Sequence, residues 1–220
     1  MAKIVGLVGF ADAGKGSASR ILVEKHNCVA DAFAGPVKDA CAVIFGWSRE
    51  LLEGDTKESR EFREAVDTYW STILDWPDFT PRIAMQYEGT EGGRNVFGEA
   101  LWVGSLVKRV TGRNESGKGT VVTDVRFPNE IVTVRNMRGL VVRVKRGPEP
   151  AWYATALDWN KHTNWGTEPT IATLPAELDP PKGGTHMSEW AWIGHPLINV
   201  TIENDGTLED LEKKVESILL

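Results

Sequence analysis

The sequence predicts an α/β fold, a parallel sheet of about five strands covered by helices on both faces. Three observations point to it. Short apolar or β-branched runs recur at residues 3–8, 28–33, 120–123, 140–145 and 197–202. Segments with apolar residues at three- and four-residue steps lie between them. The first run passes through a glycine-rich loop straight into a helical segment, the opening of a strand–helix repeat.

The elements follow in order. Residues 3–8 (KIVGLV) form a buried strand, and residues 17–25 place Ala18, Ile21 and Leu22 on one helix face. Residues 28–33 form a second short strand. Residues 36–45 form a helix with Val37, Ala40, Cys41 and Ile44 on one side. Residues 48–74 read as mostly exposed helix, with charges that make a solvated face, broken by Pro77 and Pro81. A helix over 97–111 follows. The span 36–118 is too long for a simple crossover and reads as a helical excursion from one domain, 1–220. The run 120–123 ends at Asp124, and a short helix covers 128–138. Residues 140–145 (LVVRVK) form the next strand. Residues 147–196 carry seven prolines and five tryptophans with little periodicity, which predicts a loop-rich insert and a candidate lid. Residues 197–202 form the last strand. Residues 207–220 form an amphipathic helix with Thr207 as N-cap and Glu209 and Asp210 in the first turn.

Length and composition exclude several function classes. A chain of 220 residues with 41% hydrophobic and 25% charged residues buries enough surface to fold without disulfide or metal staples. Two cysteines, Cys28 and Cys41, argue against a disulfide scaffold and fit a reducing compartment. No apolar run reaches the length of a membrane helix, and no cleavable signal is evident, so a cytoplasmic protein without a membrane partner is expected. The net charge of −6 argues against a blanket basic surface for a nucleic-acid polymer. That charge is uneven: residues 94–146 hold eleven basic and four acidic side chains, a local +7 that leaves −13 elsewhere. The basic centre suggests a small anionic ligand.

The sharpest motif is Gly9-Phe-Ala-Asp-Ala-Gly14-Lys15-Gly16-Ser17. Backbone N–H groups of such a loop, from Gly9 through Ala13, Gly14 and Gly16, can surround polyphosphate oxygens at a helix N-terminus. Lys15 would reach the terminal phosphates, and a hydroxyl beside it can help hold Mg²⁺. The strict pattern has Ser or Thr immediately after Lys; here Gly16 takes that place and Ser17 follows. Asp12 reads as a solvent-facing loop residue. The alternative for the whole motif is a glycine-rich turn with a surface lysine.

Two further clusters carry phosphate chemistry. Residues 80–94 combine Arg82, Gln86 and Arg94 with Gly89, Gly92 and Gly93. Arg82 and Gln86, four apart, share a helix face. Arginine suits bidentate phosphate contact and glutamine suits a base edge. Their alternative is a solvated helix and its terminal turn. Asp124 stands at the C-terminal end of a strand, where a carboxylate can hold Mg²⁺ or its water, with Arg126 two residues on to face a transferring phosphate. Their alternative is a structural salt bridge.

In order along the chain, these pieces resemble the phage-type deoxynucleoside monophosphate kinases, a branch of the P-loop nucleotide kinases. The resemblance rests on Gly14-Lys15-Gly16-Ser17; Phe33-Ala34-Gly35-Pro36-Val37-Lys38; Pro81-Arg82 with Gln86, Gly89-Thr90-Glu91 and Arg94; and Trp102-Val103. It continues through Asp124-Val125-Arg126-Phe127-Pro128-Asn129-Glu130, Val144-Lys145-Arg146, His186 with Ser188-Glu189, and Asn204-Asp205-Gly206. It implies transfer of the γ-phosphoryl of ATP, with Mg²⁺, to a deoxynucleoside monophosphate, in the host cytoplasm if the gene is a phage's. It assigns Lys15 and Ser17 to the ATP phosphates and Mg²⁺, with Asp124 as a second metal ligand. Arg82, Gln86 and Arg94 go to the acceptor, Arg126 to either phosphate, and Asn204 and Gly206 to the neighbourhood of the adenine. Arg146 and Glu189 complete the substrate-binding set, Glu189 with His186 reading as an orienting pair. No protein base is needed, because the acceptor phosphate is already an anion whose charge arginines must offset.

Trp152, Trp159 and Trp165 can stack on a base or pack a local core or an oligomer interface, and the second makes a homodimer conceivable. His162, His186 and His195 have no zinc-ligand spacing with either cysteine. Rival readings are a P-loop kinase for another small acceptor, dephospho-coenzyme A or a sugar acid, and a non-catalytic nucleotide-binding switch.

Overall fold

The structure is a computed structural model that describes residues 3–98, 100–163, 165, 174–179 and 184–219. The chain forms two compact units, one of residues 1–32 with 109–220 and one of residues 33–108.

The first unit is built on a five-stranded parallel sheet of β1 (Ile4–Val8), β2 (Cys28–Asp31), β3 (Gly119–Val122), β4 (Leu140–Lys145) and β5 (Val200–Glu203). The strand order is β2-β3-β1-β4-β5, so the α/β class read from the sequence holds. Register is set by apolar pairs such as Val5 opposite Val121 and Gly6 opposite Val141. Strand β1 is buried along its whole length, as a central parallel strand must be.

Helices cover both faces. Val5, Leu7, Val121, Val142, Val144 and Ile202 share a core with Ala18, Ile21 and Leu22 of α1 (Lys15–Lys25). Leu211 and Val215 of α11 (Leu208–Ser217) complete that layer. On the opposite face α8 (Pro128–Asn136) approaches so closely that a Cβ on Gly6 would lie 3.1 Å from Val134. Helix α11 starts where the sequence indicates. Thr207 Oγ1 accepts the N–H of Asp210 at 3.2 Å, and Asp210 Oδ2 accepts that of Thr207 at 2.9 Å. The last strand starts three residues later than its apolar run and ends one residue later.

The second unit is helical: α2 (Gly35–Phe45), α3 (Lys57–Glu64), α4 (Thr68–Ile73), α5 (Pro81–Tyr87), the three-residue α6 (Asn95–Phe97) and the start of α7 (Leu101–Glu115). Residues 48–74 are therefore broken helix, with a 3₁₀ turn at Glu50–Leu52. Part of their charge pairs rather than facing solvent alone, since Lys38 reaches Glu53 at 2.6 Å and Arg49 reaches Asp39 at 2.5 Å. Val37, Cys41, Leu52, Phe79 and Ala84 form the core, ringed by Phe45, Trp47, Phe62, Trp70, Trp76 and Trp102. Two of the indole N–H groups find acceptors here, Trp47 on Asp67 at 2.7 Å and Trp70 on the Phe45 carbonyl at 3.0 Å.

The 147–196 insert contains more regular structure than its composition suggests. Helix α9 (Tyr153–Thr163) and the single turn α10 (Met187–Trp190) belong to it. Trp190, Trp192 and Ile193 are fully buried. Tertiary packing, which no local periodicity reports, buries Trp190 at the end of α10 and Trp192 and Ile193 in the turn after it. Pro169, Pro180 and Pro181 lie outside the described residues.

The basic window also reads differently in three dimensions. Arg109 donates to Asp31 through Nε (3.0 Å) and Nη2 (2.9 Å), and Arg113 donates through Nη1. Arg143 forks onto both oxygens of Glu149 at 2.6 and 2.7 Å, and Lys145 meets Glu203 at 3.0 Å. Much of the +7 is thus matched locally by carboxylates outside that window.

Burial disfavours ionisation of Asp31, but the hydrogen bonds from Arg109 and Arg113 outweigh it and hold its carboxyl below the usual range. A carboxylate with a depressed folded pKa contributes stability above its unfolded pKa and loses it as pH falls through the folded one. Asp31→Ala should therefore cost about 2 kcal/mol at pH 7, below the full value of a buried pair because both arginines are about a quarter exposed. Urea unfolding should show the gap from wild type closing as pH drops below the ordinary carboxylate range. A gap that persists unchanged at low pH would mean that the charge is not what stabilises.

Candidate active site

Strands β3 and β4 flank β1 on opposite sides, so the loops that follow these three strands meet at one edge of the sheet. In open parallel sheets this switch point is where ligands bind. The loop after β1 runs from Gly9 to Gly14. Two backbone positions there demand glycine. Gly9 has φ +142° and a Cβ would sit 2.3 Å from the Val144 carbonyl. Gly14 has φ +101° and a Cβ would sit 2.2 Å from Asn204 Nδ2. Asn204, itself buried, donates from that nitrogen to the Ala13 carbonyl at 2.9 Å. The turn after β5 therefore braces the loop after β1, although β5 is two strands away. Gly16, in the place where Ser or Thr is usual, is exposed, and a Cβ there would meet nothing within 4 Å. Ser17 follows, half-buried, in the first turn of α1.

Lys15 opens α1. Its ammonium donates to the carbonyls of Gly9 and Phe10, both at 2.7 Å. Its pKa is lowered to about 8, first by burial and then by the nearby Arg126 guanidinium, with Glu189, Asp12 and Asp124 partly opposing the fall. These five charges therefore lie within one local field.

Asp124 lies two residues beyond β3, half-buried. Arg126 is about half exposed and donates from Nη1 to Glu189 Oε1 at 2.9 Å, with Ser188 Oγ at 3.4 Å. Its own backbone N–H and that of Phe127 are both accepted by Glu130 Oε2, at 2.8 and 3.1 Å. Glu130 is buried and fixes where the Arg126 side chain starts. Motif reasoning assigns Glu130 no role; the signal available for it is an acid two residues past the helix-opening Pro128, a position that caps N–H groups. Arg146 is exposed at the end of β4, beside the Gly147 N–H that donates to Asp205 at 2.7 Å. Gly206 follows in the same turn, its Cβ position only 2.6 Å from Asp210.

Phe10 is a second residue that the motifs do not single out. Its ring meets Trp192 at 5.1 Å and Trp152 at 5.6 Å, both edge-on. Arg143 lies over Trp192 and Tyr153, 5.1 and 5.2 Å from the ring centres. The insert thus grips the glycine loop by an aromatic side chain within it, worth about 0.5–1.5 kcal/mol per ring pair beyond burial.

The remaining candidates belong to the second unit. Arg82 and Gln86 both lie on α5, which Thr80 caps by accepting the Ile83 N–H at 3.2 Å. Arg82 pairs with Glu64, and Gln86 is exposed. Glu88–Arg94 continues from α5 as a π-helix, a rare form frequent at functional sites. Its glycines have a packing cause: a Cβ on Gly93 would lie 2.5 Å from the Trp102 ring, and Trp102 Nε1 donates to the Gly89 carbonyl at 2.8 Å. Arg94 is the last residue of this π-helix and half-buried. No helix among the described residues is long and apolar enough to cross a membrane.

No family model matches the chain. It is 27% identical to an Acanthamoeba polyphaga mimivirus protein named as a deoxynucleotide monophosphate kinase, over 65% of this chain and 74% of that one. It is 25% identical to the deoxynucleoside-5′-monophosphate kinase of Escherichia phage T5, over 59% and 70%. Among solved structures, a dephospho-CoA kinase from Campylobacter jejuni aligns over 100% of this chain and 96% of its own at 11% identity and a TM-score of 0.48. The resemblance to viral kinases read from the motifs is thus matched by similarity along most of the chain, and the protein is a phosphotransferase.

Gly14→Ala and Gly16→Ala separate the two glycines of the loop. The first forces a side chain into the left-handed region against Asn204 and should cost about 2 kcal/mol in urea unfolding. The second should cost less than about 1 kcal/mol, because an alanine there meets open space and favours the helix. Equal losses would remove the special role of Gly14.

Proposed function

We propose that this phosphotransferase moves the γ-phosphoryl of ATP to a deoxynucleoside monophosphate, giving the diphosphate and ADP. The observation that carries the reading is the convergence of Lys15 and Arg126 at the glycine loop, in a chain similar to two proteins named for this activity.

The glycine loop binds the donor. Its N–H groups and the start of α1 hold phosphate oxygens, and Lys15 exchanges the Gly9 and Phe10 carbonyls for phosphate oxygens. Ser17 and Asp124 offer a hydroxyl and a carboxylate, hard oxygen donors that suit Mg²⁺. When bound, that ion offsets charge on the donor phosphates. Asn204 and Gly206 shape the adenine end, with Arg146 beside them. Arg82, Gln86 and Arg94 are assigned to the acceptor, arginines for its phosphate and glutamine for a base edge. Arg126 meets phosphate at the point of transfer. An acceptor monophosphate attacks through an oxygen that is already ionised near neutral pH, so the side chains position and neutralise rather than remove a proton. We place the enzyme among soluble small-molecule kinases of a virus-infected cell, without a polymer or membrane as partner.

A coupled assay for ADP release with each of the four deoxynucleoside monophosphates tests this. Turnover with at least one is expected, and a folded enzyme with Mg·ATP that turns over none would overturn the reading. Lys15→Met should lower kcat at least about 100-fold while the protein stays folded.

The Lys15 pKa of about 8 gives a pH signature. Phosphate favours the charged ammonium, so nucleotide binding raises this pKa and, by linkage, affinity falls as pH rises above about 8. Calorimetry of ADP binding at pH 8 in buffers of different ionisation enthalpy should report net proton uptake, lost in Lys15→Met. No uptake in the wild type would place a different group against the phosphates.

A further inference from the structure

An acid beside a phosphate-facing arginine calls for a reason, because it weakens the field that attracts phosphate. Glu189 is such an acid, and it lies in the field of Lys15 as well. The geometry of the contact supplies the reason. Arg126 spends only Nη1 on Glu189 and Ser188. Its Nε and Nη2 have no partner among the described residues. Those two N–H groups form the edge of the guanidinium that takes an oxyanion bidentately. A carboxylate on Nη1 fixes the plane of the fork and leaves that edge open.

The acid is itself held firmly. His186 Nδ1 accepts the Ser188 N–H at 3.2 Å at the start of α10. Trp190, next to Glu189, is buried and its indole donates to the Thr185 carbonyl at 3.0 Å. Asn160 of α9, 3% exposed, donates through one nitrogen to the carbonyls of Trp190 (2.9 Å) and Ile193 (3.0 Å). An interior amide thus ties α9 to the segment that carries Glu189. Glu130 fixes the backbone of Arg126 from the other side.

We propose that Glu189 is a positioning residue for phosphoryl transfer, one that orients Arg126 through Nη1 so that its Nε–Nη2 edge meets a phosphate, and that helices α9 and α10 of the 147–196 insert exist in part to hold it there. Glu189 then touches no substrate. This rests on the kinase reading above and changes the direct substrate contact first expected of Glu189 into an indirect one.

A double-mutant cycle on steady-state rates with the accepted monophosphate tests it. Glu189→Ala should lower kcat about 10-fold, the scale of a misdirected catalytic group. Glu189→Gln, whose amide oxygen still accepts from Nη1, should recover most of that loss. In an Arg126→Ala background, Glu189→Ala should lower kcat less than about twofold further, since its target is gone. Thermal melting of each variant checks that it is folded. Unchanged rates in Glu189→Ala, no recovery in Glu189→Gln, or the same 10-fold loss with and without Arg126 would each overturn the positioning role. A wild-type enzyme inactive with every deoxynucleoside monophosphate would instead overturn the kinase reading and this role with it.

Discussion

Lys15 donates to the carbonyls of the loop that carries it, and much of the first unit is arranged around that contact. A buried ammonium needs acceptors, and two carbonyls satisfy it only partly: its pKa falls to about 8, so the charged form is held at a cost. Such a group binds an anion more strongly than a solvated lysine would, because phosphate replaces weak dipoles with a full opposite charge in a partly water-excluded setting. The loop must therefore be rigid enough to keep the ammonium in place without a ligand.

Three elements provide that rigidity, each from a different part of the chain. Left-handed backbone at Gly9 and Gly14 brings Val144 and Asn204 into contact with the loop. Asn204 closes the back of the loop through Ala13. The insert holds Phe10 among Trp152, Tyr153 and Trp192. The insert also carries Glu189, so the segment that steadies the glycine loop also touches Arg126. A scaffold role accounts for buried tryptophans at 190 and 192 better than a mobile cover does.

Much of this is legible in the sequence because it is local. Strand, glycine loop and helix are consecutive, and the 3.6- and 2-residue periods report directly on α1, β4 and α11. The Thr207 cap and the Asn204-Asp205-Gly206 turn are legible for the same reason. What is hidden depends on pairing across distance. Asp31 meets arginines 78 and 82 residues away, so the basic centre of the chain reads as a ligand signal when much of it matches carboxylates of the fold. Helix α9 has weak periodicity and owes its place to Asn160 and the tryptophans it packs near. The π-helix at Glu88–Arg94 follows from glycines accommodating Trp102, a fit that composition cannot express. Glu130 is visible as a motif residue, but its bonds to two N–H groups depend on the turn before α8.

The central claim is that the Lys15 ammonium makes a placeholder contact that phosphate takes over. A crystal structure with Mg²⁺, a non-hydrolysable ATP analogue and a deoxynucleoside monophosphate tests it most directly. The account predicts that Lys15 Nζ leaves the Gly9 and Phe10 carbonyls for donor phosphate oxygens within the loop. Phosphate bound elsewhere, with Lys15 still on those carbonyls, would contradict it.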